Sequence, residues 1–315
     1  MHNQPTRIAV VGAGHVGSTF AYSLLLKGLA PEIVLIDRDQ ARAEGEAMDL
    51  SHAVPFLAPA RVRAGTIEDC RGAAMVVITA GGGQRPGETR LDLATRNAAI
   101  IRDLVPSIVA ASPDAVLLVA TNPVDVMTYV ALRVSGLPAA RVIGSGTILD
   151  TARFRHLLGE HLQVDARSIH AYIVGEHGDT EVPVWSLANV AGMRLDEFRR
   201  AHGLSVDTAV LDSIVEETRL AAYLIIERKG ATYYAVAAGL MRIVEAVLRD
   251  QSTVLSVSSL VPGFYGIEDV CLSLPSVVSR DGIERVLQLD LNEEELTALR
   301  HSADVLRGAI RDVGF

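Results

Sequence analysis

The 315-residue sequence contains only two cysteines, Cys70 and Cys271, far apart and without a Cys-x-x-Cys or Cys/His cluster. Their isolation excludes a disulfide framework and a cysteine-based metal centre, and it fits a reducing compartment. Lysine is equally scarce, at Lys27 and Lys229, and the formal net charge is −9. Such a chain lacks the basic face on which nucleic-acid binding depends. Aromatic residues make up 4%, so aliphatic side chains must carry the core. No uninterrupted apolar run reaches the roughly 20 residues of a membrane span. The N-terminal stretch MHNQPTRIAVVGAG also lacks the basic flank, apolar run and cleavage site of a signal peptide. The expectation is a cytoplasmic protein with no metal, no membrane partner and no nucleic-acid partner.

Hydrophobic residues make up 49% of the chain, enough for a sizeable core, and the length favours two domains or one large α/β unit. Short β-branched runs at Arg7 to Val11, Ile33 to Ile36, Met75 to Thr79 and Val116 to Ala120 read as strands buried on both faces. Helical periodicity fills the intervals, as at His15 to Gly28 and Thr89 to Ala111. That alternation predicts an α/β fold with a doubly wound parallel sheet of the Rossmann kind. After GSGT at Gly144 to Thr147 the pattern changes. Glu216 to Asp250 is helical with a break near Lys229-Gly230, and strand-like runs follow at Thr253 to Val261, Val270 to Val278 and Arg285 to Leu289. A last helix should open at Asn292, with Glu295 three residues on. The division expected is a Rossmann-type domain at residues 1–146 and an α+β domain at 147–315.

The sequence GAGHVG follows the first strand and opens a helix, with His15 and Val16 between Gly14 and Gly17. Gly12, Gly14 and Gly17 suit a tight turn, close approach of backbone to a pyrophosphate and close helix–strand packing. Twenty residues after Gly17 the second strand ends in Asp37, whose carboxylate can accept from both ribose hydroxyls and repel a 2′-phosphate. The cofactor expected is NAD rather than NADP. An aspartate that merely caps the next helix is the structural alternative.

Four polar patches interrupt an otherwise aliphatic sequence: GGGQRPGETR at Gly81 to Arg90, TNPVD at Thr121 to Asp125, LDTARFR at Leu149 to Arg155, and GEHGDTEVP at Gly175 to Pro183. In order and spacing they resemble the lactate/malate dehydrogenase family over the whole chain, and most of all its bacterial L-lactate dehydrogenases. Reduction of a 2-keto acid needs a hydride donor, a proton donor and a counter-ion for the carboxylate. His177 fits the proton donor, since imidazole exchanges a proton near neutral pH. The resemblance makes Asp150 the residue that orients it. Arg153, one helical turn after Asp150, can hold a carboxylate with a guanidinium fork, or can simply pair with Asp150. Arg90 ends a glycine- and proline-rich loop that suits closure over substrate and stabilisation of the carbonyl oxygen. Gly81, Gly82 and Gly83 read as its hinge. By resemblance Asn122 contacts cofactor and substrate, Thr232 lines the substrate pocket, and Val236 faces the nicotinamide.

The resemblance also implies substrate choice and regulation. Gln84 stands where malate enzymes usually carry an arginine for a second carboxylate, so pyruvate and L-lactate are the expected pair. Glu88 adds a repulsive charge, while Arg85 is the cation that could reverse the preference. Malate dehydrogenase is therefore the nearest alternative, followed by a non-catalytic NAD-binding protein. Arg155 and His170 match positions that bind fructose 1,6-bisphosphate across a subunit interface in many bacterial relatives. The expectation is an allosteric homotetramer, with a dimer as fallback, serving glycolysis and fermentation.

Overall fold

The computed structural model describes residues 6–83, 87–204 and 208–315. The first half alternates β1 (Arg7–Val11), α1 (His15–Lys27), β2 (Glu32–Ile36), α2 (Gln40–Ala53), β3 (Arg61–Gly65) and β4 (Ala73–Ile78). It continues with α3 (Arg90–Ala111), β5 (Val116–Val119), α4 (Val124–Ser135) and β6 (Val142–Gly144). These six strands are all parallel and lie in the order β3-β2-β1-β4-β5-β6. Two halves thus wind outward from β1, and a crevice opens above the carboxyl ends of β1 and β4 where the direction reverses. Apart from single half-buried residues in β1 and β4, strands β1, β2, β4 and β5 are buried throughout. Burial on both faces explains their unbroken β-branched composition.

The second half begins with α5 (Ile148–Leu162) and short strands β7 (Ile169–His170), β8 (Ile173–Val174), β9 (Val182–Pro183), β10 (Asn189–Val190) and β11 (Met193–Arg194). Then come α6 (Leu195–Ala201), α7 (Thr208–Lys229), α8 (Tyr234–Leu248), β12 (Thr253–Leu260), β13 (Cys271–Ser279), β14 (Gly282–Val286) and α9 (Glu293–Asp312). Helix α7 starts eight residues before the periodicity suggested, at Thr208 rather than Glu216, and ends at Lys229 before Gly230 at φ +84°. The strand expected at Arg285 to Leu289 lies at Gly282–Val286 instead. The turn at Arg280-Asp281 brings it straight back along β13, with Gly282 at φ +96°. Asn292 does cap α9, accepting from Glu295 N–H while the Glu295 carboxylate accepts from Asn292 N–H.

The antiparallel strands are not a separate layer. Strand β12 pairs with β6 through Ser258 and Gly144, and β13 and β14 follow outward, so one nine-stranded sheet spans both halves. Helices α1 and α8 share the apolar cluster on one face, and α3, α4 and α9 share the other. A smaller cluster under α5, α6 and α7 holds Phe154 edge-on to Trp185, with ring centroids 4.8 Å apart. Among the described residues no helix is long and apolar enough to cross a membrane, and no group of His, Cys, Asp and Glu could hold a metal ion.

Candidate active site

At the crevice, the three motif glycines meet three different constraints. Gly12 has φ +109°, and a Cβ there would stand 2.5 Å from the Ala80 nitrogen. A Cβ on Gly17 would stand 1.9 Å from the Gly12 carbonyl oxygen, so the helix can pack this close only without a side chain. Around Gly14, the N-cap of α1, a Cβ would meet nothing within 4 Å. Open backbone at a helix N-terminus is the surface that a pyrophosphate needs. Thr79 Oγ1 donates to the Gly12 carbonyl at 2.7 Å and ties the loop to β4.

Asp37 sits half-buried at the end of β2. Its Oδ2 accepts from Ala13 N–H at 2.7 Å and its Oδ1 from Asp39 N–H at 3.0 Å. The cap of α2 is Asp39, which accepts from Arg42 N–H, so Asp37 is not spent on that task. A carboxylate has about four lone-pair sites, which leaves two for ribose hydroxyls. These features fit NAD.

Across the crevice, Asp150 occupies the first turn of α5 and is 2% exposed. Its Oδ2 lies 2.5 Å from His177 Nδ1, and its Oδ1 accepts from Arg153 Nη1 at 3.0 Å. Burial favours the neutral acid, but the charges of His177 and Arg153 outweigh it and hold the carboxyl below its usual range. Burial likewise opposes charge on His177, yet the Asp150 charge and hydrogen bond push the imidazole up to about 9. The ring is therefore charged at neutral pH. The Asp150–Arg153 pair exists as the structural alternative foresaw. It uses one of the five N–H donors of the guanidinium, and the others remain for a ligand.

The histidine is fixed through its backbone. Gly175, at φ +86°, exchanges both backbone hydrogen bonds with Ser273 on β13 at 2.9 Å. Glu176 N–H donates to Ser302 Oγ on α9 at 2.8 Å, and His177 N–H donates to Asp125 Oδ2 on α4 at 2.7 Å. Asp125 is 1% exposed, and burial raises its carboxyl to about 6 despite the nearby Ser258 hydroxyl and the His177 N–H. Glu181 is a third buried carboxyl, raised to about 8 by burial and by repulsion from Asp150. The sequence reading gave neither residue a role. A lone acid inside the apolar helix VDVMTYVA was the available signal for Asp125.

At the polar loop, close packing gives Gly81 a reason to be glycine besides backbone freedom. A Cβ on Gly81 would lie 2.4 Å from Thr121 Cγ2, and one on Gly82 1.9 Å from Arg96 Nη1. Fully buried Asn97 staples this base: it accepts from Gly82 N–H at 3.0 Å and donates to the Gly82 and Asn122 carbonyls at 3.2 and 2.7 Å. Glu88 does not present a bare repulsive charge, since Arg96 donates to both its oxygens at 3.0 and 2.9 Å. Gln84 and Arg85 lie outside the described residues. Arg90 opens α3 behind the cap Thr89 and reaches Asp179 and Tyr223. Asn122 is exposed at the end of β5, while Thr232 and Val236 are half-buried around the start of α8. Exposed His15 stacks on Tyr233 beside them, with centroids 5.2 Å apart, and half-buried Val16 packs against the core beneath. On the other side of α5, Arg155 Nε donates to the Ala171 carbonyl at 2.8 Å, next to exposed His170, with no acid on its own helix as partner.

Residues 6–144 match the family model for the lactate/malate dehydrogenase NAD-binding domain, and residues 147–314 match the model for its α/β C-terminal domain. The chain belongs to the lactate/malate dehydrogenase family. Among its relatives in that family is an L-lactate dehydrogenase of Acetivibrio thermocellus, 51% identical over 305 residues, covering 97% of this chain and 96% of that one. The L-lactate dehydrogenase of Thermus aquaticus is 53% identical over 309 residues, covering 98% and 100%. A solved lactate dehydrogenase from a deep-sea metagenome library superimposes with a TM-score of 0.95 at 43% identity, covering 98% of this chain and 99% of its own. The family's NAD-binding domain and its α/β C-terminal domain thus meet where the crevice faces the His177–Asp150 pair.

Proposed function

We propose that the chain is an NAD-dependent L-lactate dehydrogenase that interconverts pyruvate and L-lactate, with residues 1–146 binding the dinucleotide and 147–315 supplying the acid–base pair. The observation that carries this is one buried carboxylate, Asp150, bonded at once to His177 and Arg153. A proton donor and a carboxylate receptor are thereby held side by side. When bound, NADH supplies the hydride.

The charged His177 gives its proton to the carbonyl oxygen of pyruvate, and Asp150 keeps the ring oriented and stabilises its charge. Arg153 holds the substrate carboxylate through its remaining donors. Arg90 stabilises the negative charge that grows on the carbonyl oxygen. Gly12, Gly14, His15, Val16, Gly17, Asp37, Asn122 and Val236 form the dinucleotide cleft, while Gln84, Asn122 and Thr232 line the substrate. In reverse, neutral His177 takes the hydroxyl proton of L-lactate.

Replacing His177 by Ala tests the assignment. Pyruvate reduction should fall about 10²–10⁴-fold or more, with NADH binding by fluorescence retained; retained turnover would sink the role. Assays with pyruvate and with oxaloacetate decide whether Gln84 selects the monocarboxylate. We further propose a cytoplasmic homotetramer serving glycolysis and fermentation, with fructose 1,6-bisphosphate between copies of Arg155 and His170. Sedimentation with and without the bisphosphate checks this, and an unchanged pyruvate saturation curve counts against it.

A further inference from the structure

Three segments remote in sequence meet at one point on the rim of the site. Arg90 donates from its two terminal nitrogens, to Asp179 Oδ2 at 2.5 Å and to the Tyr223 hydroxyl oxygen at 2.5 Å. Tyr223 donates its own O–H to Asp179 Oδ1 at 3.0 Å and closes a triangle. The Arg90 and Asp179 side chains are 66% and 50% exposed, whereas the side chain of Asp150 is buried. The guanidinium is therefore held by Asp179 and Tyr223 in a solvent-exposed position. Asp179 stands only two residues after His177.

A charged carboxylate is a strong partner for a guanidinium. The Arg90 hydrogen bond keeps the Asp179 carboxyl below its usual range, so it is ionised at neutral pH. While Asp179 and Tyr223 hold both ends of the fork, the positive charge of Arg90 is largely committed. A carbonyl oxygen arriving at His177 has to compete for it.

We propose that Asp179 and Tyr223 are positioning residues that park Arg90 at the rim, so that substrate binding must exchange the Asp179 carboxylate for the keto oxygen. The proposal rests on the assignment of Arg90 to the carbonyl oxygen. The triangle keeps the arginine within reach of the site between turnovers, and part of the binding energy of the keto acid is spent on freeing it. It also couples three elements: the start of α3, the histidine loop and the middle of α7.

The test is a double-mutant cycle on the full chain: Asp179→Asn, Arg90→Gln and both together, with steady-state pyruvate reduction as the readout. Asp179→Asn should lower KM for pyruvate about two- to five-fold, the size of an exposed ion pair, without lowering kcat. In the Arg90→Gln background the same substitution should leave KM unchanged. A raised or unaltered KM in Asp179→Asn, or an equal change in both backgrounds, overturns the parking role. If Arg90→Gln alone leaves kcat intact, the underlying assignment of Arg90 has failed instead. A second readout needs no catalysis. Tyrosinate absorbance, taken as wild type minus Tyr223→Phe, reports the Tyr223 hydroxyl, whose pKa burial and then Asp179 raise. Its midpoint should fall in Asp179→Asn, and an unmoved midpoint overturns the triangle.

Discussion

At the scale of single residues, the protonation of His177 governs direction. Its pKa is pushed up to about 9, so the ring carries a proton throughout the neutral range. Pyruvate reduction consumes that proton, and kcat/KM for pyruvate should stay level to about pH 9 and decline above it. Lactate oxidation needs the neutral ring and should rise across the same interval. Asp150→Asn removes the charge that holds the proton while burial still opposes it, so the break should move below the ordinary value near 6.5. pH profiles of the wild type and Asp150→Asn check this, and an unmoved break would mean that another group titrates. Asp125→Asn should move it the same way by less, since Asp125 acts on the ring only through its charge. His177, Asp150 and Arg153 were legible because motif spacing exposes them. Asp125 and Asn97 were not, because each works through backbone groups of segments remote in sequence.

At the scale of elements, the turn from β1 into α1 separates two kinds of glycine. Gly17→Ala forces a Cβ to within 1.9 Å of the Gly12 carbonyl, and the helix must move. It should lose about 1–3 kcal/mol of stability and bind NADH poorly. Gly14→Ala meets no protein atom within 4 Å. Its stability should stay within about 0.5 kcal/mol, while NADH binds roughly tenfold more weakly because the methyl stands on the phosphate path. Urea unfolding beside NADH fluorescence titration separates the two, and a large stability loss in Gly14→Ala would refute the distinction. Strands buried on both faces announced themselves by composition. Strand β3, RVRAG, hid because exposed Arg61 and half-buried Arg63, which is ion-paired with Glu32 and Asp69, break its apolar pattern. Two-residue strands such as β7 and β8 are too short for any periodicity. The β14 register slipped although Asp281-Gly282 carried a hairpin signal.

At the scale of the molecule, the change of pattern at GSGT was legible, but the sharing of one sheet across it was not. Ser258 pairs with Gly144 over a sequence distance that no local pattern encodes. The apolar cluster on that face draws Ile8, Phe20 and Leu24 from the first half, and Leu240, Ile243 and Val257 from the second. Neither half can therefore bury its own surface alone, and the two should unfold together. Two probes make the test. Trp185 is the sole tryptophan and packs on Phe154, so its fluorescence reports the second half. NADH binding reports the crevice of the first. Denaturant midpoints from both should coincide. Leu240→Ala, at a fully buried position on α8, should move both together by about 2–5 kcal/mol. If the tryptophan midpoint moves while NADH binding holds its own, the halves are energetically separate and the shared sheet is only a contact. A common shift means that the lever which positions His177 also stabilises the dinucleotide crevice. Core substitutions far from either site would then weaken catalysis and cofactor binding alike.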